Sequence, residues 1–475
     1  MSSNIKDRKM AHRIAESVHE KGGTVYYVGG YVRDKLLGKQ NKDIDVEVHG
    51  VTPSDLRTIL DGFGIVKTQG ASFGVYNLRG YDIDIAQPRM ESAIGRGHKD
   101  FEVYVDPFIG VEKAAMRRDF TMNAMMQNVL TGEIVDPFGG QQDLKNGVIR
   151  HVNDKTFVED PLRVFRAAQF ASRFGFEIAP ETLDLMQTMD LSTLPKERVY
   201  EEMNKALMKA DKPSIFFDAL RKTDQLDVWF PEMKALIDCP QDPVYHPEGD
   251  VWNHTMMVLD NAAGCRDKVT EPEYFMVSAI CHDMGKPDTL SVTEDGHIHT
   301  YGHDKAGVAV ADRFLKRLNN DNALRGYVLD MVENHMKPHQ CFNNESHIKT
   351  TNHMFDSVKN RGDLCHLVMA DISGKGSVTE RALKEQAFLS ERLVIYEARA
   401  KEPMVTGKDL IAMGMKPSRE FSEILESSRK MHFSGVNKDA VIKDIVAKNK
   451  NVVNTEKVDE LLAQIQDTLD DSLSL

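Results

Sequence analysis

Asp43 and Asp45, one residue apart in the stretch DIDVEV, are the first side chains in this sequence whose type and spacing could do chemistry. Residues two apart on a strand point to the same face, so both carboxylates can reach one point in space. Upstream, the apolar run Val25–Val28 reads as a short strand and is followed at once by Gly29 and Gly30. A bare backbone there can turn tightly and offer N–H groups to a phosphate. Carboxylates converging beside an anion-binding turn suit hard, oxygen-seeking Mg²⁺ carrying a nucleoside triphosphate. Farther on, Arg117-Arg118-Asp119-Phe120-Thr121-Met122-Asn123 sets adjacent guanidinium forks, matched to triphosphate oxygens, near an amide able to bind a sugar hydroxyl or the backbone.

A third pattern is Asp160-Pro161-Leu162-Arg163. Pro161 suits the first turn of a helix with Asp160 near its N-cap, and residues three apart then share a face. A carboxylate only accepts hydrogen bonds and a guanidinium only donates them. Cytosine and adenine each present an amino donor beside an unprotonated ring nitrogen, whereas guanine and uracil present the reverse. An Asp/Arg pair can therefore admit CTP and ATP and refuse GTP and UTP by leaving mismatched groups unpaired, with no nucleic-acid template.

The second chemistry lies beyond a loop-like stretch, Pro240–Pro247. His254, His282-Asp283, His303, His335 and Asp371 follow in that order. Imidazoles mixed with carboxylates suit a transition metal such as Ni²⁺ or Mn²⁺. Such an ion makes a hydroxide nucleophile from bound water, and Lys286 could neutralise a phosphate. His254, His282, Asp283 and Asp371 form the minimal set, with His303 and His335 available for a second metal or for phosphate. His297, His299 and His339 are read as surface or satisfied core residues.

These groups need elements to position them. Met10, Ala11, Ile14, Ala15 and Val18 recur at helical spacing over residues 5–20, a helix expected to back the first strand. Tyr31–Leu37 reads as a helix closed by Gly38, and Thr52-Pro53-Ser54 as a helix entry. Val75–Leu78 and Tyr81–Ile85 read as strands, the second carrying Asp82 and Asp84 on one face. Gln87–Phe108 is weakly patterned, the character of a mobile segment. From Val164 to Pro231 the chain is helix-rich, with Phe165, Phe170, Phe174 and Phe176 expected in its core.

The 475 residues, 41% hydrophobic and 28% charged, fit a soluble protein of several domains. No apolar run could span a membrane, and MSSNIKDRKM lacks the apolar core of a signal peptide, so a cytoplasmic protein is expected. Five scattered cysteines without C-x-x-C spacing suggest neither a disulfide framework nor a zinc knuckle. A net charge of -13 argues against unselective coating of nucleic acid but leaves local basic clusters for RNA.

The motifs GG-x-VRD, D-x-D, RRDFT-x-NA, ED-x-x-R and ER-V-x-x-E (the last within Glu197–Glu202) together resemble class II CCA-adding tRNA nucleotidyltransferases and the related bacterial poly(A) polymerases. The order H…HD…H…H…D resembles the HD superfamily of metal-dependent phosphohydrolases, a domain that several bacterial CCA-adding enzymes carry. The resemblance implies an α+β protein. A mixed-sheet, polymerase-beta-like head (1–150) would precede an all-α neck (151–235), HD domain (245–375) and tail (376–475). It implies addition of C, C and A to tRNA from CTP and ATP, with Mg²⁺ on Asp43, Asp45 and a third carboxylate. Asp82 and Asp84 both qualify for that third place, and Asp84 is carried forward. It further implies nucleotide contacts from Gly29, Gly30, Arg33, Arg117, Arg118, Asp119, Asn123, Asp160, Arg163 and Arg166. Glu197 and Arg198 would brace the nucleotide-reading helix. The HD domain would act on 2′,3′-cyclic, 2′ or 3′ phosphates at RNA ends. Two departures from the family pattern stand out: Lys113-Ala114-Ala115 where an acidic residue is usual, and Ser418-Arg419 in place of a glycine pair. A poly(A) polymerase, a partial CCA enzyme, or an HD hydrolase whose head only recognises RNA remain the alternatives. Monomer and homodimer are both open.

Overall fold

The computed structural model describes residues 2–39, 43–69, 75–93, 101–374 and 380–473. It divides into two compact units: Met1–Lys234 with Phe314–Asn320, and Ala235–Arg313 with Asp321–Leu475.

In the first unit, helix α1 (Ser2–Glu20) buries Met10, Ala11, Ile14, Ala15 and Val18, the stripe its spacing anticipates. It packs on β1 (Thr24–Val28), which leads through Gly29 into α2 (Gly30–Leu36) and then β2 (Ile44–His49). Four more strands, β3 (Val66–Gln69), β4 (Val75–Leu78), β5 (Ile83–Ala86) and, after an interval, the paired β6 (Arg89–Ala93), extend the chain. The next elements are β7 (Phe101–Val105), β8 (Met126–Asn128) and β9 (Ile134–Val135). Seven strands form one sheet in the order β3-β4-β5-β2-β1-β8-β9. Only β2 and β5 run parallel, so the sheet is mixed. Along β2, Ile44, Val46 and Val48 enter the core while Asp45 and Glu47 take the other face, the period-two alternation of a strand.

One expectation is corrected here. Within Gln87–Phe108, β6 and β7 pair antiparallel from Arg89↔Val105 to Ala93↔Phe101. The alternating Phe101-Glu102-Val103-Tyr104-Val105 has the β-branched and aromatic content of a strand, and the polar neighbours obscured it. Residues 94–100 lie outside the described residues.

The rest of this unit is helical. The helices Leu162–Phe174, Lys196–Lys209 and Ser214–Lys222 pack together. Phe165, Phe216, Phe217, Phe230 and Phe314 make the core, with ring centroids 5.2–6.3 Å apart. These edge-to-face and stacked pairs are core packing rather than a base platform.

The second unit is also helical. Val251–Ala263, Pro272–Cys281, Asn322–Asn334 and Arg361–Ser373 surround one cluster of imidazoles and carboxylates. Toward the C-terminus, Val405, Leu410, Met413, Met415, Val441, Ile442, Ile445 and Val458 form a separate small core. Its first helix, Gly407–Ala412, opens with a capping box between Thr406 and Asp409. The five cysteines are all free. Among the described residues no helix is long and apolar enough to cross a membrane. The α+β class, with a mixed sheet followed by helices, is as the sequence implies.

Candidate active sites

The sheet register builds the first site. In the parallel pair β2–β5, Asp45 stands directly opposite Asp84. Asp82 precedes β5 and, like Asp84, is exposed; its backbone N–H lies 3.4 Å from Asp7 Oδ1. The alternation Asp82/Asp84 does not separate the two as candidates; the register sets Asp84 beside Asp45. Asn77 Nδ2 donates to Asp84 Oδ1 from the neighbouring strand. Burial pushes the Asp45 carboxyl above its ordinary value, and the charges of Asp84 and Asp43 push the same way against Arg118. Carboxylates that repel one another around the half-buried Asp45 offer oxygens suited to a divalent cation such as Mg²⁺.

Gly29, which caps α2, has φ 62° and ψ -131°, a conformation that side chains resist. A Cβ there would lie 3.4 Å from Arg118 Nη1 and 4.0 Å from Asp45 Oδ2. The bare turn, the carboxylates and the arginine pair are thus one locality. Arg118 Nη2 is 3.1 Å and Arg117 Nη2 3.8 Å from Glu47 Oε2. Burial would raise Glu47, but its bond to His49 Nε2 (2.9 Å) and the two arginines bring it down to about 2. Glu47 and His49 were missed by the sequence reading. Their signal is the period of two, since Asp43, Asp45, Glu47 and His49 continue one strand face.

Behind this layer runs a buried polar chain. Arg33, only 4% exposed, donates to Asp34 Oδ1 (2.8 Å) and Asn123 Oδ1 (2.6 Å). Its guanidinium lies 5.1 and 4.9 Å from the rings of Phe170 and Phe174. Asn123 Nδ2 donates to Asp119 Oδ1 (3.0 Å), and Asp119 Oδ2 accepts from Arg166 Nε and Nη2 (2.8 and 2.6 Å). Burial would raise Asp119, yet Arg166 and Asn123 hold it low. Arg33, Asp119, Asn123 and Arg166 are therefore brought together, but with their forks and amide committed to one another. Helix α2 turns Arg33 inward, a direction that the linear motif does not reveal.

Asp160 Oδ1 accepts from the Leu162 N–H at 3.1 Å, the capping role its position anticipates. Arg163 donates to the carbonyls of Thr156 and Arg117, the latter at 2.8 Å. This ties the helix Leu162–Phe174 to the arginine pair. Glu197 is exposed; it is Glu202, buried on the helix Lys196–Lys209, that approaches Arg166 at 3.9 Å. The bracing contact from that motif is thus made one turn farther along than Glu197.

The second site gathers every residue of the H…HD…H…H…D order. Asp283 is its hub and is 2% exposed. Its Oδ2 lies 3.2 Å from His282 Nε2, 3.5 Å from His254 Nε2 and 2.7 Å from Lys286 Nζ. Its Oδ1 lies 3.3 Å from His303 Nε2 and 3.7 Å from His335 Nε2. Asp371 Oδ1 is 3.0 Å from His254 Nε2. Three imidazoles are oriented alike, with Nδ1 on the carbonyls of Ala279, Thr300 and Val332 at 2.9, 2.8 and 2.7 Å, leaving Nε2 toward the hub.

Two triads with converging ligand atoms share Asp283: His254/His282/Asp283 and Asp283/His303/His335. Despite the short separations, His254 Nε2, His282 Nε2 and Asp283 Oδ2 are buried without an aligned hydrogen bond. Buried polar atoms are seldom left so, and a transition metal held by N and O donors would satisfy them all. Burial would raise Asp283 and Asp371, but the surrounding imidazoles, and Lys286 at Asp283, hold both well below the usual carboxylate range. Both are therefore ionised, the form in which a carboxylate can ligate a cation.

An outer set of residues escaped the sequence reading. Glu248 Oε1 lies 2.8 Å from both His254 Nδ1 and His246 Nδ1. His339 is a satisfied core histidine, bridging Asp371 Oδ2 (2.9 Å) and Glu385 Oε1 (2.7 Å). Burial alone would lower His339, yet the two carboxylates raise it to about 9. The loop setting of Glu248 and the distance in sequence of Glu385 left no local signal for either.

Residues 25–150 match the family model described as "Poly A polymerase head domain", and residues 251–368 that of the "HD domain". Residues 175–237 match "Probable RNA and SrmB- binding site of polymerase A". The chain is 39% identical over 321 residues to the Multifunctional CCA protein of Nitrosococcus oceani, covering 67% of this chain and 75% of that protein. To the protein of the same description from Pseudoalteromonas atlantica it is 36% identical over 405 residues, covering 82% and 94%. Among solved structures, the fold is similar to the Thermotoga maritima CCA-adding enzyme complexed with tRNA (TM-score 0.63, 20% identity, 93% of this chain and 95% of that one). It is likewise similar to a CCA-adding enzyme with ATP (TM-score 0.65, 21% identity, 94% of each chain).

Proposed function

Since the chain belongs to the family of multifunctional CCA proteins, we propose that its first unit adds C, C and A to the 3′ end of tRNA from CTP and ATP. The enzyme is a nucleotidyltransferase. In the proposed reaction the RNA 3′-hydroxyl loses its proton and forms a bond to the α-phosphate, while the bond to pyrophosphate breaks. Asp43, Asp45 and Asp84 would hold Mg²⁺, which supplies activation of the hydroxyl and neutralisation of the leaving charge when bound. Gly29 and Gly30 let the backbone approach the triphosphate. Arg117 and Arg118, aimed by Glu47, meet its oxygens. Asp160 and Arg163 read the base edge, and the Arg33–Asn123–Asp119–Arg166 chain fixes the helix that carries them. The working parts are head 1–150, neck 151–235, HD domain 245–375 and tail 376–475. The observation that carries this reading is the Asp45↔Asp84 register beside the Gly29 turn.

The cluster around Asp283 we assign as a metal-dependent phosphohydrolase acting on 2′,3′-cyclic, 2′ or 3′ phosphates. Its residues would hold Ni²⁺ or Mn²⁺, which supplies a hydroxide from bound water at neutral pH. Asp283 would serve both sets of donors, Asp371 would complete the ligand set beside His254, and Lys286 would neutralise phosphate charge. The test for the head uses tRNA lacking its last three nucleotides and each labelled NTP. Wild type should add C then A and exclude U and G, and Asp160→Ala should lose that selectivity. Long A tails would instead indicate a poly(A) polymerase.

A further inference from the structure

Tyr301 is 79% exposed, and its ring lies 4.8 Å from that of His299 with the planes 15° apart. His299 in turn faces His297 at 6.4 Å and 25°. The three alternate along one arm, Ile298–His299 and its continuation, which pairs antiparallel with Ser291–Val292. Beyond its stack on His299, Tyr301 at the tip of this ladder is mostly covered by water, so burial does not account for its place.

Both ends of this hairpin are rooted in the hydrolase cluster. The entering end leaves the short helix Lys286–Thr289, whose first residue touches Asp283. The leaving end reaches His303 two residues after Tyr301, within roughly 7 Å along the backbone. The carbonyl of Thr300, which lies between the stacked His299 and Tyr301, accepts from His303 Nδ1 at 2.8 Å. His297 Nδ1 stands 3.5 Å from Asp242 Oδ2, next to Gln241, which accepts from Lys286 Nζ at 2.7 Å. The ladder and the metal-ligating residues therefore belong to one edge of one unit.

We propose that the His299–Tyr301 stack is a nucleobase platform for the substrate of the Asp283 cluster. A nucleoside 2′- or 3′-phosphate would seat its base on the free face of Tyr301 while its phosphate meets the cluster. This rests on the hydrolase reading of the cluster. Every base has a π face, so an aromatic platform is tolerant of sequence and suits an enzyme that handles many RNA ends. A ring already stacked on its neighbour is held in orientation, which lowers the entropy lost when a base settles on it. Tyr301 carries no charge to be screened, so the contact would withstand salt that weakens phosphate contacts.

The test measures KM and kcat of the full chain with Mn²⁺ for a 2′-nucleoside monophosphate and for ribose 2-phosphate, which lacks the base. Tyr301→Ala should raise KM for the nucleotide about tenfold, the scale of one base–aromatic stack, leaving the sugar phosphate unchanged. Tyr301→Phe, which keeps the π face, should restore the wild-type value. Equal shifts for the two substrates, or none, would overturn the platform while the hydrolase reading stands. Cleavage of neither substrate by the wild-type protein would sink the hydrolase reading and the platform with it.

Discussion

Replacing Glu248 by Gln tests whether the Asp283 cluster is a metal site supported from behind. The Glu248 side chain is 2% exposed; its Oε1 is hydrogen-bonded to His246 Nδ1 at 2.8 Å and lies 2.8 Å from His254 Nδ1. A carboxylate behind a metal-ligating imidazole fixes its tautomer and raises its basicity toward the metal. Glutamine keeps the shape, but its amide offers one neutral acceptor and a pair of donors where two imidazoles now meet an anion. A hydrogen bond to a charged group contributes about 1.5–3 kcal/mol, and losing such an outer-shell partner typically weakens metal binding about 10–100-fold. We therefore expect Mn²⁺ or Ni²⁺ affinity, measured by competition with a chelator, to fall by about that factor. Nucleotide addition by the head, whose residues are elsewhere in the chain, should be unchanged. A metal affinity within about twofold of wild type would refute the reasoning.

Other perturbations separate the remaining assignments. Asp84→Asn should reduce nucleotide incorporation at least about 100-fold, the scale of losing one group that stabilises transition-state charge, while Asp82→Asn should stay near wild type; the reverse order would reassign the third carboxylate. Gly29→Ala should cost about 1–3 kcal/mol of strain and crowd Arg118 and Asp45, seen as a lower melting temperature together with slower incorporation. In the C-terminal helices, burial would raise Asp409, but Lys438 and Thr406 hold its pKa below the ordinary value. Its contribution to stability is thus present above the unfolded pKa, about 3.9, and is lost as pH falls through the depressed folded value. Asp409→Ala should accordingly destabilise by about 1 kcal/mol near neutral pH, with the gap to wild type closing in acid when unfolding is followed against pH.

The local pattern of the sequence carried much of this. The D-x-D strand, the glycine turn and the α1 stripe follow from periods of two and 3.6 residues, which any segment states by itself. The choice of Asp84 required a parallel register between strands separated by 38 residues of chain, counted from Asp45↔Asp84, and no single segment encodes a register. Arg33 shows the complementary difficulty. Its motif indicates a phosphate ligand, but the tertiary packing of α2 commits the guanidinium to Asp34, Asn123 and two phenylalanine rings. In the Asp283 cluster the candidate ligands were legible because imidazoles and carboxylates are scarce together in apolar helices. Glu248 and Glu385 were not, because a supporting carboxylate needs only to be near in space. His339 looked like any other histidine until both its nitrogens met carboxylates.

The most direct test of the central claim is sequencing of tRNA 3′ ends after incubation with CTP, ATP and Mg²⁺, comparing wild type with Asp45→Asn. The account predicts CCA ends from the wild-type protein and none from the variant, with the metal-dependent phosphohydrolase activity of the variant retained. Extension by Asp45→Asn at the wild-type rate would contradict it.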